Sequence, residues 1–542
     1  MARANGTLFT LLGIVTCFIL IGGIHGANIL CLFTSISPSH LVIQMSMARI
    51  LYDRGHNVTV VTTLKSPIPI DHTNINHIQV EISEEDKQML SSLFGDMAKT
   101  DNSNVVLSMF RSFKKVSFIF NKVAGTLTDP LVRNLYENKD NNFDLVIVGY
   151  FMNSSPMAIA HKLKVPLIVQ VCNPPSDITA GRMLGNPKEL SYVSAQYASA
   201  NEGEQTFGKR FANIFTSLGV NGFMFFVDKT NEQNYYKLVG DDASFPDYAD
   251  LNKNISLVFF ASHAPSEGPI RPNVPGVIEV GGIQVKDQPD PLPQNIKEFI
   301  GNATNGAILL SLGSNIKGSH IKADTMQIMF KVLSKLKQRI IWKWEDLDNT
   351  PGKSDNILYS KWVPQDDVLA HPNIKLFITH AGKGSITEAQ YHGKPMLALP
   401  VFGDQPANAA VMVSQHFGLS LSLLTLEEQQ FYDSLIEVLE NPKYTQKVTK
   451  FSSLYRDRPL TARESVIYWT EYVIRHHGAK HLQSPVVHMN FIAANNLDIY
   501  ALILVVLLIS FYTTKISIIW LYGKCKTKTS KSAQQKVKVK RN

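Results

Sequence analysis

Short, almost wholly apolar runs alternate along the chain with amphipathic stretches, and this alternation predicts a parallel α/β architecture. Asn28 to Phe33, Asn57 to Thr62, His77 to Glu81, Asp144 to Val148, Val165 to Val171, Ile255 to Phe260 and Val277 to Val280 read as strands in the first half. Ala307 to Leu312, Lys375 to Thr379 and Pro395 to Val401 read as strands in the second. Most of them lack a period of two, as in strands covered on both faces. Between them, Ser39 to Arg54 reads as a helix ending at Gly55. Asp366 to Ala370 is a short helix, and Ser385 to His392 is a helix stopped by Gly393-Lys394-Pro395. Arg463 to Arg475 is a long amphipathic helix. The Pro-rich run Asp287 to Pro293 is the natural linker between two α/β units.

The ends of the chain follow other patterns. Arg3, an apolar core from Leu8 to Ile21 and small residues up to Gly26 make a secretory signal peptide. Ile499 to Tyr522 is long enough to span a bilayer. Lys515 sits where it can snorkel, Trp520 and Tyr522 lie at the expected interface, and lysines follow at once. Positive-inside then puts the tail in the cytosol and the body in the lumen.

The stretch Phe377 to Asn408, FITHAGKGSITEAQYHGKPMLALPVFGDQPAN, carries the chemistry. A strand runs into His380-Ala381-Gly382, and Gly382 and Gly384 are expected to permit backbone conformations and close approaches that a side chain would block. The helix that follows offers free N–H groups and a positive dipole end, an anion site to which His380 adds a ring N–H and Ser385 a hydroxyl. The next strand ends at Phe402-Gly403-Asp404-Gln405, where a carboxylate and an amide suit sugar hydroxyls. Phosphates at one strand end and a sugar at the next form the layout for a sugar nucleotide.

This stretch resembles the signature of the UDP-glycosyltransferases, which include the animal UDP-glucuronosyltransferases. Thr379-His380, Gly382, Glu388, Pro395, Pro400 and Asp404-Gln405 stand at the family's spacing. Upstream, Trp362-Val363-Pro364-Gln365 resembles the family's motif in which the tryptophan stacks on uracil and the glutamine reaches the ribose. Ser311-Leu312-Gly313-Ser314 ends a predicted strand with a small-residue turn that could approach phosphates. The resemblance implies a GT-B fold, two doubly wound Rossmann-like domains facing a cleft, followed by a single transmembrane helix. It implies donor-site roles for Ser311, Gly313, Ser314, Trp362, Gln365, His380, Gly382, Ser385, Glu388, Asp404 and Gln405. It also implies that the helix Arg463 to Arg475 crosses back to the first domain.

His40 lies at the first strand-to-helix turn, Thr34-Ser35-Ile36-Ser37-Pro38-Ser39-His40, which lacks the GxGxxG of dinucleotide oxidoreductases. The family has a histidine at this position, acting as general base on the acceptor hydroxyl in an inverting displacement, and histidine suits that task. The family usually backs that histidine with a carboxylate at the end of a later strand. Here Gly149, Ser154 and Ser155 stand where Asp or Glu is expected, and Asp177 has no geometric warrant. The resemblance also departs at Gly384, where many relatives have Asn or a bulkier residue.

The expected organisation is a signal peptide over 1–26, an acceptor-binding domain over 27–285 and a UDP-sugar domain over 286–485. A juxtamembrane segment over 486–498, a transmembrane helix over 499–522 and a basic tail over 523–542 complete it. The net charge of +8 equals the eight basic residues from Lys524 onward, so the body is near neutral and nucleic acid is not an expected partner. Lys538 and Lys540 resemble a dilysine retrieval signal, implying a single-pass type I protein of the endoplasmic reticulum. Sequons stand at Asn57, Asn153, Asn254 and Asn302, with Asn254 and Asn302 the better glycan candidates. Cys31 and Cys172 read as buried thiols, a single disulfide remaining open, and no Cys/His spacing predicts a metal site.

The expected substrates are a UDP-sugar, with no separate cofactor, and a small lipophilic acceptor, as in detoxification. The aromatic-rich helical stretch Val105 to Val123 is a candidate lining for the acceptor pocket or a membrane contact. The run Arg271-Pro272-Asn273-Val274-Pro275-Gly276-Val277 resembles the invertebrate branch, which favours glucose over glucuronic acid. The missing carboxylate keeps a UDP-sugar-binding pseudoenzyme, or a lipophile-binding membrane protein with little turnover, as the alternative. The oligomeric state, including a homo-oligomer, stays open.

Overall fold

The computed structural model describes residues 26–67, 74–99, 117, 120–193, 205–263, 270–314 and 316–539. The signal peptide, most of Val105 to Val123, and Lys540 lie outside these residues. The described chain forms two units, Met1–Ser484 and Pro485–Asn542.

The first unit contains two wholly parallel sheets. Strands β1 (Asn28–Phe33), β2 (Asn57–Thr62), β3 (Asn76–Gln79), β4 (Leu145–Gly149), β5 (Leu167–Val171), β6 (Ile255–Phe260) and β7 (Val277–Glu279) form a seven-stranded sheet in the order 3-2-1-4-5-6-7. Strands β8 (Ala307–Ser311), β9 (Arg339–Lys343), β10 (Ile357–Ser360), β11 (Ile374–Thr379), β12 (Met396–Ala398) and β13 (Gly418–Ser420) form a six-stranded sheet in the order 10-9-8-11-12-13. Both are doubly wound, and each reverses its strand order at one crevice: between β1 and β4, and between β8 and β11. Such crevices, outside the carboxyl ends of the strands, are where ligands bind in open α/β sheets.

The central strands are buried on both faces, which is why they lack polar alternation. Helix α1 (Pro38–Asp53) starts on a proline that suits the first helical turn, and the chain turns away at Gly55, φ +103°. Helix α2 (Phe207–Val239) buries Val220, Phe223, Met224, Val227 and Tyr235, and its other face leaves Phe207, Phe211, Phe215 and Phe226 exposed. Helices α3 (Gln365–Ala370), α4 (Lys383–Tyr391), α5 (Gln405–Ser414) and α6 (Pro442–Arg456) belong to the second sheet's surroundings.

Helix α7 (Ala462–Arg475) opens with a reciprocal cap. Thr461 Oγ1 accepts from Glu464 N–H at 3.1 Å, and the Glu464 carboxylate accepts from Thr461 N–H at 2.8 Å. Its Val466 and Val473 join the core formed by α1 and one face of the first sheet. The Arg54 guanidinium donates to buried Glu471 at 2.8 Å. The helix therefore crosses back to the first sheet. Cys31 and Cys172 are both buried and unbridged.

In the second unit, helix α8 (Leu497–Val539) contains Leu497–Lys528, a stretch long and apolar enough to cross a membrane. Helix α2 passes the same length and composition test, but it is partly buried in the first unit.

Candidate active site

One side of the candidate site is built from the turns after β8 and β11. Thr379 pairs with Ser311, so the two turns meet at the crevice. Gly313, φ +84°, and Gly382 press on the His380 ring from two directions. A Cβ at either would lie 2.6 Å or 2.4 Å from His380 Nε2. Burial pushes His380 down to about 4, with the Lys343 charge adding to the effect, so its imidazole is neutral at physiological pH.

The left-handed residue of this turn is buried Ala381, φ +62°, whereas Gly382 has φ −65° and serves close approach instead. Gly384 has no left-handed φ, and a Cβ there would make only ordinary contact, 4.0 Å from Gln284 Nε2. The expectation that both glycines carry unusual backbone is thus corrected. An alanine in this region stores about 1–2 kcal/mol. The strained turn directs the Ala381 carbonyl at Asn408 Nδ2, 3.1 Å away, and the same amide reaches Asp404 at 2.7 Å. Asn408 thereby ties the turn after β11 to the turn after β12.

At one end of this surface Trp362 is more than half exposed. Lys343 Nζ lies 5.3 Å from its ring centroid and donates to the Gly313 carbonyl at 2.8 Å. Burial pushes the Lys343 amine down to about 8. Gln365 Nε2 donates to Ser385 Oγ at 3.0 Å and to Glu388 at 2.7 Å. Burial, reinforced by nearby Asp366, pushes the Glu388 carboxyl up to about 8. At the other end Asp404 opens α5. The Gln405 carbonyl oxygen accepts from Val401 and Phe402 N–H at 2.8 and 3.0 Å, shaping the loop that holds Asp404.

The opposite side belongs to the first sheet. His40 stands in the first turn of α1, beside the β1/β4 crevice. Its Nδ1 is buried and has no hydrogen-bond partner among the described residues. Burial lowers its basicity, and the charge of Asp404, from the loop after β12, opposes that. The Phe151 ring lies 5.7 Å from the His40 ring and 6.4 Å from Phe120. These aromatics join Ile178, Val220, Phe223, Met224 and Val227 in an apolar cluster beside the histidine.

Of the expected residues, Gly313 and Gly382 lie against His380, Gln365 is bonded to Ser385 and Glu388, and Asn408 ties Asp404 to the His380–Gly382 turn, while Trp362 lies beside Lys343. Ser311 Oγ is buried without a partner, and Ser314 is exposed at the end of the same turn. Asp177 is engaged elsewhere, with Lys188 at 2.8 Å and with Asn221. Sequence reasoning missed Lys343 and Asn408. Neither sits in a recognisable spacing, although a lysine between two tryptophans invited attention. Among the described residues no group of His, Cys, Asp and Glu is arranged to hold a metal ion.

Residues 29–532 match the family model for UDP-glucuronosyl and UDP-glucosyl transferases. The chain belongs to this family. A UDP-glycosyltransferase, UGT5, of Dactylopius coccus is 33% identical over 502 residues, 91% of this chain and 93% of that protein. UDP-glucosyltransferase 2 of the same insect is 31% identical over 92% of this chain and 93% of its own length. UDP-glucuronosyltransferase 2B13 of Oryctolagus cuniculus is 28% identical over 88% of this chain and 89% of its length. Among solved structures, a UDP-glucosyltransferase from Polygonum tinctorium superposes with a TM-score of 0.54 at 14% identity, over 83% of this chain and 99% of that one. The glycosyltransferase of kitacinnamycin gives 0.53 at 16% identity with the same coverage. These structures share the GT-B fold. This UDP-glycosyltransferase transfers a sugar from a UDP-sugar donor to an acceptor.

Proposed function

We propose that this enzyme transfers glucose from UDP-glucose to a hydroxyl of a small lipophilic acceptor, with inversion, and that His40 is the general base. The observation that carries the reading is the position of His40. It stands at the first sheet's crevice, bordered by the Phe120–Phe151 apolar cluster, and it feels the charge of Asp404 from the donor side. A neutral imidazole there can take the acceptor proton while the acceptor oxygen attacks the anomeric carbon and UDP departs. In this reading Trp362 stacks on uracil, Gln365 and Glu388 hold the ribose, and Ser311, Gly313, Ser314, His380, Gly382 and Ser385 surround the diphosphate. Asp404 and Gln405 meet the sugar. Lys343 adds a cation beside Trp362. The glucose preference draws support from the name of the insect UDP-glucosyltransferase and from the Arg271–Val277 run.

The same reading places the body in the endoplasmic reticulum lumen, anchored by Leu497–Lys528 with a cytosolic basic tail. Asn302 is exposed and suits glycosylation, whereas Asn153 is buried, donating to Phe120 O at 2.8 Å. One observation favours a second reading, a UDP-sugar-binding protein without turnover: among the described residues no carboxylate meets His40 Nδ1.

The test is turnover on microsomes with UDP-glucose and UDP-glucuronic acid over a panel of phenols and alcohols, with the product anomer read by NMR. Glucoside formation that inverts the anomeric centre and falls roughly 10²–10⁴-fold in His40→Ala supports the proposal. Unchanged turnover in His40→Ala removes the base. UDP binding without turnover of any donor establishes the second reading.

A further inference from the structure

The ring of His40 and the amide of Gln44 lie one turn apart on α1, so they share a face of that helix. Gln44 is fully buried. Its amide occupies the space above Gly149 at the end of β4: a Cβ on Gly149 would stand 2.2 Å from Gln44 Nε2 and 2.8 Å from its Cδ. The expected carboxylate position is therefore already filled by a side chain of another element. Gln44 Nε2 donates to Gln170 Oε1 at 3.2 Å, and Gln170 is the register partner of Gly149. Gln170 Nε2 in turn reaches Cys172 Sγ at 3.5 Å, and that thiol lies 3.9 Å from the His40 carbonyl.

Two atoms of this arrangement are buried without partners: Gln44 Oε1, which only accepts, and His40 Nδ1, which donates whenever Nε2 carries the basic lone pair. Leaving either unmet is costly. We propose that Gln44 is the positioning residue of this enzyme, its carbonyl oxygen accepting the His40 Nδ1 proton through one bridging water, in place of a carboxylate on β4. The inference rests on His40 being the base. An amide fixes the ring and its tautomer as a carboxylate would, but supplies no full negative charge to the imidazolium formed during transfer. Gly149 is the counterpart of this exchange, because any side chain there would collide with the glutamine. Among the described residues the imidazole also meets the Phe151 ring and the charge of Asp404, while the Cys172 thiol, which burial pushes up to about 12 and keeps neutral, lies against the His40 carbonyl.

The test uses the full-length enzyme in microsomes. Gln44→Leu should lower kcat roughly 10–10²-fold, part of what a general base supplies, with UDP affinity and donor KM unchanged. Gln44→Glu should keep activity and move the acid limb of the kcat–pH profile upward, since a carboxylate stabilises imidazolium. Gly149→Asp alone should be poorly active. The double variant Gln44→Ala/Gly149→Asp should recover activity with the same upward displacement. A kcat within twofold of wild type in Gln44→Leu overturns the inference, as does a Gln44→Glu profile that does not move. The foundation is checked separately by His40→Ala. If that variant keeps its rate, the base assignment fails. If it loses its rate while Gln44→Leu does not, only the role of Gln44 fails.

Discussion

Two glycines confine His380, and replacing each with alanine separates two physical effects. At Gly382 the backbone is ordinary, φ −65°, so Gly382→Ala introduces only the Cβ that would lie 2.4 Å from the ring nitrogen. At Gly313, φ +84°, Gly313→Ala introduces a Cβ 2.6 Å from the same atom and backbone strain as well. Gly240, φ +58°, has nothing within 4 Å of its would-be Cβ, so Gly240→Ala supplies strain alone, far from the cleft. Ordinary contact begins near 3.4 Å, so the imidazole must retreat by about 1 Å in either cleft variant. Left-handed strain costs about 1–2 kcal/mol, and a displacement near 1 Å in a binding site costs up to about 10²-fold. Gly240→Ala should therefore lower thermal stability and leave UDP affinity and kcat unchanged. Gly382→Ala should weaken UDP binding about 10–10²-fold with little loss of stability. Gly313→Ala should do both. UDP titration calorimetry, initial-rate kinetics and thermal unfolding of the three variants form the assay. UDP affinity within twofold of wild type in Gly382→Ala would refute the claim that His380 is held in place by these glycines for the diphosphate.

At the sugar end, Asp404→Ala with Gln405→Ala should weaken UDP-sugar recognition more than UDP binding; equal losses for both ligands in competition binding would remove the assignment. Because Glu388 titrates near 8 in the empty site, UDP whose ribose hydroxyls donate to it should expel a proton. UDP affinity should then rise between about pH 7 and 9, and calorimetry in buffers of different ionisation enthalpy should record the release; Glu388→Gln should bind UDP more weakly and flatten the dependence. Folding stability from this raised carboxyl runs the other way, present below its unfolded value of 4.5 and lost as the pH climbs through about 8. Protease added to sealed microsomes should trim only the tail beyond the Leu497–Lys528 span, and digestion of the body would overturn the topology.

Most of the fold was legible because buried parallel strands announce themselves as apolar runs, and β1, β2 and β6 match their predicted bounds residue for residue. Strands β9 and β13 went unmarked for opposite reasons. Arg339 and Lys343 flank β9 with charge, and Gly418–Ser420 is too short to show a pattern. Helix α2 also went unmarked, since Phe207, Phe211, Phe215 and Phe226 on its exposed side blur its buried face. The candidates from His380 to Gln405 were readable as a group because the strand-turn-helix pattern confines them to one short stretch. Lys343 reaches the site from β9, and Gln44 fills the space above a glycine about a hundred residues away. Such relations depend on which strands become neighbours, and no local spacing encodes them.

The return of α7 to the first sheet has a consequence for how the chain is assembled. Arg463, at the start of that helix, donates to the Ile283 carbonyl at 3.2 Å and lies 3.7 Å from the Asp287 carboxylate, so the outgoing and returning crossings run side by side. In chain terms the domain of the second sheet is an insertion whose two ends meet. During synthesis the first domain emerges early, yet Val466 and Val473, which close its core, are made only after the whole insertion. Until then the nascent first domain keeps an apolar face uncovered, and a chain truncated before Ala462 would retain that face permanently as a chaperone-binding surface.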